Sequence, residues 1–157
     1  MKKIIILGLV LLMVVAFATS VFSMAEKSDL IKDPGSWNPD PIGEVAGFAI
    51  LNNPDPIEEG YNLTVVVSLK NCDENFTYKV YLERYYSGVD GDPYMPIYYV
   101  MGDLTTNEVG NGTAEFNLDT TDLGGKSFGP GPHILQIAVS KGTTWDFANT
   151  AVEINIK

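Results

Sequence analysis

The chain holds one histidine, His133, and one cysteine, Cys72. Most metal and nucleophile devices are therefore short of parts. A structural zinc site takes four Cys or His ligands, and a blue-copper centre takes two histidines with a cysteine, a set that Met95 and Met101 do not complete. A Ser-His-Asp or Cys-His relay would have to use His133 as its base, and no G-x-S-x-G elbow accompanies it. Hard oxygen ligands are more plentiful. Asp90-Gly91-Asp92 places two carboxylates and freed backbone carbonyls in one loop, a set that suits Ca2+. The same triplet is ordinary turn chemistry and lacks the spacing and terminal glutamate of an EF-hand. No other cofactor is implied. Carboxylate-based glycoside hydrolysis needs two acidic side chains about 5 to 10 Å apart, a separation that abundance of acidic residues does not establish.

The remaining chemistry is recognition. Tyr81, Tyr85, Tyr86, Tyr94, Tyr98 and Tyr99 crowd one short stretch. If Tyr81 and Tyr85 share an outward strand face with Tyr98 or Tyr99 of a neighbouring strand, they form an amphipathic platform for sugar rings or a protein partner. Tyrosine is also a favoured strand residue, so ordinary sheet surface is the competing reading. Three sequons, at Asn62-Leu63-Thr64, Asn75-Phe76-Thr77 and Asn111-Gly112-Thr113, each fall on an expected outward position or turn where a glycan could be carried. Asn38-Pro39-Asp40-Pro41-Ile42-Gly43-Glu44 returns as Asn53-Pro54-Asp55-Pro56-Ile57-Glu58-Glu59. The two copies flank a strand roughly 23 Å long, so they read as proline-stiffened strand entries and not as one cation site.

These residues need a scaffold and a location. Met1, Lys2 and Lys3 precede an apolar run from Ile4 through Phe17, the n-region and h-region of a secretory signal. Ala16 with Ala18, and Ser23 with Ala25, offer A-x-A-like cleavage sites, the second being preferred. The rival is an uncleaved anchor through residues 4–22, close to the roughly 20 residues a spanning helix needs. Either way the expected location is extracellular or at the cell surface. A lone cysteine excludes an intramolecular disulfide, so the core must hold the domain and Cys72 is expected to be an inert thiol. The net charge of −10 becomes −12 without Lys2 and Lys3, since no acidic residue precedes Glu26. That balance argues against nucleic acid as a partner and leaves an envelope protein or polysaccharide.

Residues 26–42, rich in Pro, Gly, Asn and Asp, are expected as a linker, and residues 43–157 as one all-β domain. Period-two alternation marks seven strands: Val45–Leu51, Tyr61–Lys70, Phe76–Tyr86, Ile97–Met101, one through Ala114, Phe116 and Leu118, one through Leu135, Ile137 and Val139, and one through Val152, Ile154 and Ile156. Asn111-Gly112 is expected to form a type I′ hairpin turn. Seven short strands without a helical crossover predict an antiparallel β-sandwich.

Phe116-Asn117-Leu118-Asp119, Leu123, the Gly129-Pro130-Gly131-Pro132 turn and His133-Ile134-Leu135-Gln136-Ile137-Ala138-Val139 resemble a strand-to-strand crossing of immunoglobulin-like and fibronectin type III-like modules. The resemblance covers the pattern from Val45 to Lys157 and lacks the paired cysteines of antibody domains. It implies that His133 stands where many such modules place a tyrosine bonded back to the backbone. It points to exposure and binding without naming a ligand. The expected function is a non-enzymatic secreted or envelope module for adhesion, surface assembly or binding. The alternatives are a carbohydrate- or calcium-dependent ligand-binding protein and a small secreted hydrolase built on carboxylates.

Overall fold

Alternation of apolar and polar side chains gives most of the strands one dry face, and the chain buries these faces in one core. The computed structural model describes residues 25–32, 42–54, 61–85 and 97–157. Among them lie nine strands: β1 (Ala25–Lys32), β2 (Val45–Asn52), β3 (Leu63–Leu69), β4 (Thr77–Tyr85), β5 (Ile97–Thr105), β6 (Gly112–Leu118), β7 (Gly131–Lys141), β8 (Thr144–Asn149) and β9 (Val152–Ile156). The only helical element among the described residues is a 3-10 turn at Gly124–Lys126.

All pairings are antiparallel, in the order β5-β4-β7-β8-β1-β2-β3-β6, with β9 continuing beside β7. The result is an all-β, nearly barrel-shaped sheet. Its end strands β5 and β6 approach each other: the Phe116 ring lies against Gly102, where a Cβ would sit 2.9 Å from its Cε1. Leu30, Leu51, Val65, Tyr78, Leu82 and Ile137 are among the side chains closed inside, all at 2 % exposure or less.

Seven of the strands coincide with the expected segments, and two do not. β1 replaces the first part of the expected linker, because its backbone is paired on both edges. Residues 25–31 pair with β2, and Leu30, Ile31 and Lys32 pair with Asn149, Ala148 and Phe147 of β8. A register shift between Leu30 and Ile31 brings both side chains out of water, while the polar residues before them stay at least partly exposed. β8 is not among the expected strands: Thr144-Trp145-Asp146-Phe147-Ala148-Asn149 alternates only through Trp145 and Phe147, and the register shift between Val139 and Ser140 sets these two opposite adjacent residues of β7. Residues 33–41 of the expected linker, residues 1–24 of the expected signal segment and residues 55–60 of the second echo copy lie outside the described residues. No helix among the described residues is long and apolar enough to cross a membrane.

The hairpin between β5 and β6 also differs from expectation. Asn107 organises the turn, its Oδ1 accepting from the N–H groups of Val109 and Asn111, and Gly110 adopts φ +71°. Gly110 also lies so close to the chain that a Cβ would stand 2.1 Å from the Cys72 carbonyl oxygen. Asn111 then leads directly into β6, so Asn111-Gly112 starts a strand and is not the turn. Gly47 marks a second close approach, with its absent Cβ 1.9 Å from the Ser68 carbonyl oxygen of β3.

Leu30, completely buried in a strand joined on both edges, tests the role of β1. Leu30→Ala is expected to lower the unfolding free energy by roughly 2–5 kcal/mol, read by urea denaturation. A value near zero would restore the linker reading.

Candidate functional site

Tyr81 stands on the outer face of β4, Tyr98 on β5 and Trp145 on β8. Tyr81 is opposite Ala138 of β7, and Trp145 is opposite Ser140 of the same strand. These two small residues let the flanking rings meet across β7, at 4.7 Å between the centroids of Tyr81 and Trp145 with the planes at 80°. Tyr98 closes the triangle at 6.1 Å from Tyr81 and 6.3 Å from Trp145, again edge to face. Such edge-to-face pairs are worth about 0.5–1.5 kcal/mol beyond their buried area. Tyr98 is 41 % exposed, Val100 beside it 44 %, and the Lys126 ammonium lies 4.9 Å from the Tyr98 ring centre. The face thus offers ring edges, an apolar margin and one cation.

Of the tyrosines weighed for this platform, Tyr85 and Tyr99 are elsewhere. A register shift between Val80 and Tyr81 sets Tyr81 opposite Val100 and Glu83 opposite Tyr98, which turns Tyr99 toward the core. Tyr85 shares the outer face but is buried at 6 %, its hydroxyl donating to Gln136 Oε1. Trp145 was missed because its strand is short and alternates only through Trp145 and Phe147, which a register shift against β7 then separates. Tyr86, Tyr94 and the proposed calcium pair Asp90 and Asp92 lie outside the described residues. Among the described residues no three His, Cys, Asp or Glu side chains gather as metal ligands.

Beside the rings lies a polar chain. Glu83 is buried at 4 %, with one carboxyl oxygen 3.5 Å from the Tyr85 hydroxyl. Gln136 Nε2 donates to the Asn149 carbonyl at 2.5 Å, and Asn149 Oδ1 accepts from the Ile137 N–H at 2.5 Å, where β8 gives way to β9 beside β7. Burial pushes the Glu83 carboxyl up to about 7, opposed only by its contact with Tyr85. Burial first, and the adjoining Glu83 second, raise the Tyr85 phenol above its ordinary value. The single Tyr85 proton goes to Gln136, so a protonated Glu83 can in turn donate to the Tyr85 oxygen, and a neutral carboxyl completes the chain.

A cavity of about 330 Å³ opens at the other end of β4. Its walls include Lys32, Lys70, Lys141, Glu44, Asp73 and Asp146, with Cys72 and Tyr78. Lys141 Nζ meets Asp73 Oδ2 at 2.5 Å, and this bond holds the Asp73 carboxyl below its usual range. The Tyr78 hydroxyl accepts from the Asp73 N–H at 3.1 Å, and burial pushes this phenol up to about 12. Cys72 donates to the Lys70 carbonyl at 3.4 Å, and burial raises its thiol. Glu83 is five positions along β4 from Tyr78, roughly 16 Å, so the raised carboxyl is not paired with the cavity's acids.

The sequon side chains separate. Asn62 is buried at 5 %, its Oδ1 accepting from the Thr120 N–H, which reverses the expected outward placement. Asn75 is exposed in a turn, and Asn111 is exposed just before β6. His133 Nε2 lies 2.9 Å from the Gly129 carbonyl oxygen, and its ring packs on Phe128 at 4.6 Å, so it ties the corner before β7. No protein-family model, curated protein or solved structure matches the chain.

The raised Glu83 carboxyl fixes a sign. Between 4.5 and about 7 the folded state keeps a proton that the unfolded chain has lost, so unfolding releases it and stability falls as pH rises through this window. Glu83→Gln is expected to flatten that slope and to gain up to roughly 3 kcal/mol at pH 8. Urea midpoints from pH 4 to 8 check it, and parallel wild-type and variant curves would refute it.

Proposed function

We propose that this chain is a non-enzymatic, immunoglobulin-like module of the cell envelope or exterior, which binds an envelope polysaccharide or protein through Tyr81, Tyr98 and Trp145. The observation that carries the reading is the ring triangle, with Tyr98 and Val100 open to solvent beside it. Aromatic edges and faces on a rigid sheet supply large contact area at small conformational-entropy cost, which suits both pyranose rings and protein hot spots. Sheet hydrogen bonds on both sides of β4 and β7 fix two of the strands beneath the rings.

Export is part of the same proposal. It rests on Lys2 and Lys3 before the apolar run from Ile4. The net charge of −10 fits a protein that stays soluble and avoids polyanions. Where the source cell glycosylates exported proteins, Asn75 and Asn111 are the sequons placed to carry a glycan.

Cosedimentation of the purified domain with the insoluble envelope of its own source cell tests the reading. Tyr98→Ala is expected to weaken binding about tenfold, or 1.4 kcal/mol, while the domain still melts cooperatively, at a midpoint lowered by the two lost ring pairs. Digestion of the envelope polysaccharide or its protein before mixing identifies which one is bound. Binding abolished by EDTA would favour the calcium-dependent alternative through Asp90 and Asp92. Undiminished binding by both Tyr98→Ala and Tyr81→Ala would overturn the ring face as the contact.

A further inference from the structure

The lysines at the cavity are unusual for so acidic a chain, and the ring face does not use them. We propose that the cavity at the ends of β1 and β3 is a separate site for a small molecule that presents a carboxylate or phosphate group to Lys32 and Lys70.

The backbone sets the geometry. Lys32 ends β1, Lys70 follows β3, and β2 runs between them; the Lys32 N–H donates to the Glu44 carbonyl and the Lys70 N–H to the Ala46 carbonyl. Two inter-strand steps put their backbones roughly 10 Å apart. Two long side chains that both line the cavity can then close on a group a few ångströms wide. The third lysine is already committed, since Lys141 is paired with Asp73 and lies 4.9 Å from the Phe76 ring centre. Lys32 and Lys70 form no ion pair among the described residues.

Charge around the cavity sharpens the ligand class. The Lys32 ammonium is near enough to Asp73 and Cys72 to favour their ionised forms, so its charge is directed at the cavity. Burial nonetheless raises the Cys72 thiol, which stays neutral at pH 7 and adds no repulsion to an incoming anion. Glu44 and Asp146 also stand at the wall. They oppose a polyanion and tolerate a monoanion or a zwitterion whose amine offsets them. A volume of about 330 Å³ is at the small end of the range for small-molecule sites.

Cys72, the sole thiol, reports occupancy from the cavity wall. Glutamate and phosphoethanolamine serve as probes, with alkylation of the full chain followed by mass spectrometry at constant ionic strength. Either probe at four times its dissociation constant is expected to slow alkylation about fivefold. Lys32→Gln with Lys70→Gln should abolish the protection at an unchanged thermal midpoint, while Tyr98→Ala should leave it intact. Calorimetric titration of the same probes reads the same contrast without the thiol. No heat and no protection by either probe would overturn the site, as would equal protection in the double variant. Tighter binding of inositol hexakisphosphate than of both probes would overturn the stated ligand class.

Discussion

The hydrogen bonds on the two edges of β1 are the constraint on which the sheet depends. Without β1 the hydrogen-bonded order falls into two blocks, β5-β4-β7-β8 with β9 and β2-β3-β6, each with an apolar face. β1 joins them with a full ladder to β2 and only three paired positions to β8. The shift at Leu30 makes the double role workable, since a regular strand would present Leu30 and Ile31 to opposite faces. At the far ends of the path, the Phe116 ring against Gly102 brings β5 and β6 together by packing.

This arrangement explains why two candidate sites of different character can coexist. The ring face lies outside the sheet, where β7 contributes only Ala138 and Ser140 beneath its neighbours' large side chains. The lysine cavity lies at strand ends, where Lys32 ends β1 and Lys70 follows β3. Glu83 and its hydrogen-bonded neighbours occupy the outer face of the same β4 that carries Tyr81, so the ring face adjoins a carboxyl that is half neutral near pH 7. Tyr78 connects the cavity to the core: its ring packs edge-on against Phe147 at 5.6 Å while its hydroxyl holds Asp73.

Periodicity made most of the strands legible, because residues such as Leu63, Val65 and Val67 repeat every second position with their side chains fully buried. It failed where burial was not written as apolar alternation. β1 offers only Leu30 and Ile31 after a charged run, and β8 mixes Trp145, Asp146 and Asn149. Positions on the outer face were harder still. Tyr85 and Asn62 look like surface residues by type, yet both are buried through partners 51 and 58 positions away, Gln136 and Thr120. Of the four tyrosines singled out, Tyr81 and Tyr98 belong to the ring face, and a single register shift removed Tyr99 from it. Trp145 and the lysine cavity depend on which strands are neighbours, information that spacing along the chain does not contain.

The doubly paired first strand also dictates an order of events. The ladder of β1 with β2 closes over a short stretch, whereas Ser28 Oγ bonds to the Thr150 carbonyl, 122 positions later. A chain emerging from its N-terminus therefore carries β1 with one unsatisfied edge until β8 has followed it out. Contacts of such separation are slow to form, and an open strand edge invites pairing with other chains while it waits. The charges at Glu26, Lys27 and Asp29 fall on the strand that waits longest, where they act as a guard against premature association.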